Sequence, residues 1–162
     1  VDPARCALSD VVGMVLDEHA AEIAALGITV HVELRAEHAW CDPDQLHQVI
    51  DNLVSNAVRY GTDADAPEIT VGSKDLGDGM VEIAVDDNGA GIALEDQERV
   101  FGLFERLSGD SAGTGVGLSL VRRVAERYGG AAYFESENVS GAGIRVVLPS
   151  NSSAAMTRPE GT

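Results

Sequence analysis

Two glycine clusters limit what this chain can fold into. Asp87-Asn88-Gly89-Ala90-Gly91 closes an apolar strand, and Gly113-Thr114-Gly115-Val116-Gly117 opens an apolar helix. Between them the backbone must come close to something, because a three-glycine start costs a helix stability and removes side chains from its first turn. A third stretch, carrying Asn52, Asn56, Arg59 and Tyr60, reads as one face of a long helix.

The periodicity around these clusters gives the elements. Leu8, Val11, Val12, Val15, Leu16, Ile23 and Leu26 predict a helix over 8–26 that Gly27 ends. Alternation from Ile28 to Leu34 predicts a half-buried strand, and Ala39-Trp40-Cys41 a short second one. Asp42 is a candidate cap and Pro43 a first-turn residue for a helix over 43–60. Its apolar positions, Leu46, Val49, Ile50, Leu53, Val54, Ala57 and Val58, keep strict helical spacing. Strands over 68–74 and 80–86 flank the hairpin sequence Leu76-Gly77-Asp78-Gly79. Residues 95–104 read as a short helix, 105–112 as a mobile loop, and 115–128 as a helix stopped by Gly129-Gly130. Ala131–Glu135 and Gly143–Leu148 make a final strand pair. The expected fold class is α/β in composition, an α+β two-layer sandwich with a mostly antiparallel sheet of about five strands on about three helices. The folded domain is expected to span 1–149, with a disordered tail over 150–162.

Composition removes several classes of function. The length of 162 residues suits one domain, and no run approaches the roughly 18 apolar residues needed to cross a bilayer. Eleven basic against 27 acidic residues, a net charge of −16, excludes nucleic acid as a partner. The same charge repels polyphosphates, so a phosphate site must rely on a metal, backbone amides and local arginines. Cys6 and Cys41 are too few and too far apart for a disulfide framework or a zinc site and read as reduced thiols. Glu37, His38 and Cys41 form a mixed and incomplete metal set. Val1-Asp2-Pro3-Ala4-Arg5 carries no initiator methionine or signal-peptide pattern, so the chain reads as a piece of something longer.

The chemistry starts on the helix of residues 43–60. Asn52, Asn56 and Arg59 fall together on one flank of its apolar stripe. An amide oxygen can ligate Mg²⁺, Arg59 can meet a phosphate, and Tyr60 can cover a base or ribose. On this helix alone, two surface amides explain the pattern equally well. Asp87 at a strand end can accept a hydrogen bond from an amine such as the exocyclic amino group of adenine, although Asp-Asn-Gly is also a good turn sequence. The second cluster places free N–H groups and a positive dipole end where a phosphate would bind, without the lysine of a Walker motif.

In order and spacing these stretches resemble the boxes of sensor histidine kinases. Asp44 to Tyr60 looks like their asparagine box, Asp87 to Gly91 their first glycine box, Val100-Phe101-Gly102-Leu103-Phe104-Glu105-Arg106 their phenylalanine box, and Gly113 to Gly117 their second glycine box. The resemblance covers roughly residues 1–149 and implies the Bergerat ATP-binding fold of the GHKL superfamily, shared with type II topoisomerases, Hsp90 chaperones and MutL proteins. It implies ATP and Mg²⁺ as cofactors, with Asn56 and Asn52 at the metal and Arg59, Tyr60 and Asp87 around the nucleotide. Gly89, Gly91, Ile92, Phe104, Arg106, Gly113, Thr114, Gly115, Val116, Gly117 and Leu118 would complete the pocket. Residues between Ile92 and Thr114 would form a mobile ATP lid anchored by Phe101 and Phe104, though both could be core residues.

The resemblance also implies what is missing. Topoisomerase-like relatives usually carry a water-activating glutamate where Asn52 stands, and an amide cannot act as that base. The acceptor histidine of the family lies on a separate dimerisation hairpin, and none of His19, His31, His38 or His47 fits its motif; all four read as surface or edge residues. The expected partners are that hairpin domain and a response regulator. The expected setting is a monomeric cytoplasmic domain cut from a homodimeric parent that can be membrane-anchored. A serine kinase of the anti-sigma-factor type and a degenerate binding module are the alternatives.

Overall fold

The computed structural model describes residues 3–60, 65–89, 114–134 and 143–152. The expected helix over 95–104 and the loop over 105–112 lie outside these residues. The elements run β1 (Ala4–Ala7), α1 (Leu8–Glu18), α2 (Ala20–Ala25), β2 (Thr29–Leu34), β3 (His38–Cys41), α3 (Pro43–Tyr60), β4 (Glu68–Asp75), β5 (Met80–Asp87), α4 (Thr114–Arg127), β6 (Ala131–Phe134) and β7 (Gly143–Pro149).

A five-stranded sheet has the order β2-β4-β5-β7-β6. Only the β2–β4 pair is parallel; the other neighbours are antiparallel, so the sheet is mixed. β1 and β3 form a separate antiparallel pair, with Ala4 opposite Cys41 and Ala7 opposite His38. β3 thus begins at His38, one residue before the expected Ala39-Trp40-Cys41 strand.

The helices cover one face of the large sheet. Ile69 and Val71 of β4, Val81, Ile83 and Val85 of β5, Ile144, Val146 and Leu148 of β7, and Ala132 and Phe134 of β6 are buried at every second position. Against them lie Leu46, Val49, Ile50, Leu53, Val54, Ala57 and Val58 of α3 and Leu118, Val121, Val124 and Ala125 of α4. β2 and β6 are the edges of the described sheet, and on β2 the alternation gives only partial burial and leaves Val32 49% exposed.

Local chemistry fixes the ends. Asp42 caps α3, its Oδ1 accepting from the Asp44 N–H at 2.8 Å while its carbonyl accepts from the Leu46 N–H at 2.9 Å. The expected helix over 8–26 is instead two helices broken at His19, whose N–H is shared between the Val15 and Leu16 carbonyls at 3.2 Å each. After α4 the chain turns into β6 through Gly129, at φ 85°, and Gly130. A Cβ on Gly130 would stand 1.7 Å from the Val147 carbonyl oxygen, so only glycine lets α4 fold back so tightly on the sheet.

Candidate functional site

Connectivity brings the three singled-out stretches to one end of the molecule. β5 delivers Asp87 opposite Ile69, at the start of β4, and residues 61–67 join that start to the last turn of α3. β6 runs from Ala131, opposite Val147, to Phe134, opposite Ile144, toward the end where Gly143 pairs with Asp86. Because α4 enters β6 through a two-glycine turn, the C-terminus of α4 lies at the far end and Thr114 lies toward Asp87.

A tyrosine fixes the two helices against each other. The Tyr128 hydroxyl accepts from the Asp42 N–H at 3.1 Å and donates to Gln45 Oε1 at 3.0 Å. The end of α4 is thereby tied to the beginning of α3, so the packed helices run antiparallel. The first turn of α4 then lies beside the last turns of α3, which hold Asn52, Asn56 and Arg59.

Asn56 is 7% exposed, and its side chain makes no hydrogen bond among the described residues. A buried amide left in that state costs about 1–3 kcal/mol, so its position needs a reason outside packing. Asn52 is half-buried and Arg59 exposed. Asp87 continues the parity of Val81, Ile83 and Val85, which puts its carboxylate on the helix-covered face. Its Oδ1 accepts from the Gly89 N–H at 2.9 Å, which holds the carboxylate over the strand end. Gly89 itself is buried.

Asn88 has a different job. Its Oδ1 accepts from the Glu68 N–H at 2.8 Å and its Nδ2 donates to the Ala66 carbonyl at 2.9 Å, so it straps the segment entering β4. Leu118 is fully buried in the hydrophobic core. The backbone of Thr114, Gly115, Val116 and Gly117 forms the first turn of α4, where N–H groups have no acceptor within the helix itself and carry partial positive charge. Tyr60 ends α3. Gly91, Ile92, Phe104, Arg106 and Gly113 lie outside the described residues.

Nothing else among the described residues competes as a chemical centre. Cys6 and Cys41 are buried free thiols; burial above all pushes Cys41 up to about 12 and raises Cys6, so neither supplies a thiolate. No group of three His, Cys, Asp or Glu is arranged to hold a metal among these residues. The helix-free face of the sheet carries a polar groove in which Arg145 bonds Asp86 at 2.8 Å and Tyr133 donates to Glu82 at 2.8 Å. None of the singled-out residues lines it.

Comparison with known proteins points the same way. Residues 41–152 match the family described as histidine kinase-, DNA gyrase B-, and HSP90-like ATPase. The methanogenesis regulatory histidine kinase FilI of Methanothrix harundinacea is 34% identical over 147 residues, which are 91% of this chain and 16% of FilI. The chain thus spans a small part of that relative. Among solved structures, a nucleotide-free catalytic domain of histidine kinase ThkA superposes with a TM-score of 0.82 at 24% identity, covering 95% of this chain and 99% of that one. ThkA in complex with response regulator protein TrrA gives 0.76 at 20% identity, over 96% and 43% of the two chains. Full-length ShkA in complex with AMPPNP also gives 0.76, at 23% identity, over 91% and 31%. At these identities the structures speak to the fold.

Proposed function

The chain belongs to the family of histidine kinase-, DNA gyrase B-, and HSP90-like ATPases, and on that premise we propose that it is the ATP-binding catalytic domain of a sensor histidine kinase. The observation that carries this reading is Asn56, a buried amide with no side-chain partner among the described residues, set at the end of the molecule where Asp87 and the first turn of α4 also converge. Such a donor set fits a nucleotide with its metal: a carboxylate for the base, a helix N-terminus for the phosphates, and a neutral amide oxygen for a hard cation.

Each residue then has a defined task. Asp87, held by the Gly89 N–H, accepts a hydrogen bond from the adenine amino group and so rejects a base that presents a carbonyl there. Asn56, with Asn52 beside it, would hold Mg²⁺, which when bound neutralises phosphate charge. The N–H groups of residues 114–117 and the Arg59 guanidinium meet the phosphates. In a chain of net charge −16 these local positive groups are what allow a polyphosphate to approach at all.

Asn52 sets the outcome of the chemistry. An amide cannot deprotonate water, so the site orients ATP and leaves attack to an incoming nucleophile. We assign that nucleophile to a histidine on a dimerisation domain outside this chain, and the onward acceptor to a response regulator, as the ThkA–TrrA complex supports for a relative. None of the four histidines lies in the acceptor motif that the resemblance implies: His19, His31 and His47 are engaged with carboxylates, and His38 lies on β3.

Supplying the phosphoacceptor hairpin of the parent protein in trans tests this. With Mg-ATP, the mixture should form acid-labile, alkali-stable phosphohistidine on the hairpin, while the isolated chain forms none. Phosphoserine on an added protein substrate, without phosphohistidine, would favour the serine-kinase alternative.

A further inference from the structure

His19 occupies the one-residue break between α1 and α2, and its ring is held from both sides. Nε2 lies 2.7 Å from Asp51 Oδ1 on α3, and Nδ1 lies 3.1 Å from Glu22 Oε1 on α2. One turn earlier on α3, His47 Nε2 lies 3.0 Å from Glu18 Oε1 at the end of α1. Two bridges therefore join the α1–α2 junction to one flank of α3, through residues four apart.

The protonation state follows from geometry. A carboxylate only accepts hydrogen bonds, so an imidazole engaging two carboxylates donates from both nitrogens and carries a positive charge. The side chain is only 14% exposed. Burial pulls its pKa down, but the hydrogen bonds to Asp51 and Glu22 and the charges of both carboxylates outweigh burial, and the pKa is raised above 6.5.

Asp51 directly precedes Asn52. On a helix, Asp51 and His47 share the flank that faces α1 and α2, while Asn52 and Asn56 share another, so whatever fixes the first pair about the helix axis fixes the second. We propose that His19 is a positioning residue for the nucleotide site: bonded to both carboxylates, it locks the rotation of α3 and thereby holds Asn52 and Asn56 toward Asp87. This rests on the nucleotide reading of that site. It adds a sensitivity to protons, because the lock is complete below pH 6.5 and is lost as pH rises through the raised pKa of His19. The charged groups that face the ring are Glu22 of α2 and Asp51 of α3, with the Glu18–His47 pair joining α1 to α3 one turn away.

Two readouts separate this inference from the nucleotide reading. In the nucleotide-free protein, the backbone amide resonances of Asn52 and Asn56 should shift with the same midpoint as the His19 ring nitrogens, and should stop doing so in His19→Gln. By calorimetry with Mg-ADP, the wild type should bind about fivefold more tightly than His19→Gln at pH 6 and equally at pH 9. The ionisation of the nucleotide is common to both proteins and cancels in that ratio. If His19→Gln fails to fold, Asp51→Asn, which keeps a hydrogen-bond partner and removes the charge, is measured in its place with the same expectations. Amides that ignore the His19 titration, or an affinity ratio that does not change with pH, would overturn the inference. Absence of Mg-ADP binding at every pH would instead overturn the nucleotide site, while the resonance titration would still decide the lock.

Discussion

On the proposed reading, Asn56 sets folding against function in one side chain. Burying an amide that has no side-chain partner among the described residues costs stability, and on that reading a bound cation would recover the loss. Replacing it by a residue of similar size without the amide should therefore separate the two roles. Asn56→Leu is expected to unfold in urea at equal or higher stability, by up to about 1 kcal/mol, while losing Mg-ATP binding. A clear loss of stability would mean that the amide serves packing. Tyr128 behaves in the opposite way. Tyr128→Phe deletes two hydrogen bonds that tie the end of α4 to the beginning of α3, so stability should fall by about 1–2 kcal/mol in the same assay. At this scale the sequence marked Asn56 and Asp87 because each lies in a short pattern with a chemical meaning. It did not mark Tyr128, whose partners are more than 80 residues away, or Asn88 as a strap, because no local pattern specifies a distant hydrogen bond.

The elements that could be read from sequence are those whose start, stop and period agree. α3 combines a capping Asp42, Pro43 in the first turn and an unbroken apolar stripe, and the structure follows it from Pro43 to Tyr60. The break between α1 and α2 was hidden because neither Gly nor Pro marks it and the apolar spacing runs past it; side-chain bonds from His19 to α2 and α3 hold the break. β1 was also missed, since Ala4–Ala7 has little apolar alternation and takes its structure from pairing with β3. The turn from α4 to β6 carries a definite expectation. Gly130→Ala would push a methyl group into the Val147 carbonyl, and stability should fall by about 2–3 kcal/mol, measured by urea unfolding. An unchanged midpoint would mean that the α4 turn does not approach the sheet so closely, and with it the antiparallel placement of α4 over the site would lose support.

At the scale of the whole molecule, one helix layer on one mixed sheet leaves a single end where the last turns of α3, the first turn of α4 and the end of β5 meet. That convergence was legible in the sequence as the order of the boxes, whereas its geometric cause, the antiparallel tie between α3 and α4, was not. The central claim is that this end holds Mg-ATP through Asn56 and Asp87. Calorimetric titration of the folded chain with ATP and Mg²⁺, beside Asn56→Ala and Asp87→Ala, tests it most directly. Each substitution is expected to weaken binding by about tenfold or more, and removing Mg²⁺ should cancel the difference between the wild type and Asn56→Ala but leave that of Asp87→Ala. Unchanged affinity in both variants would contradict the account.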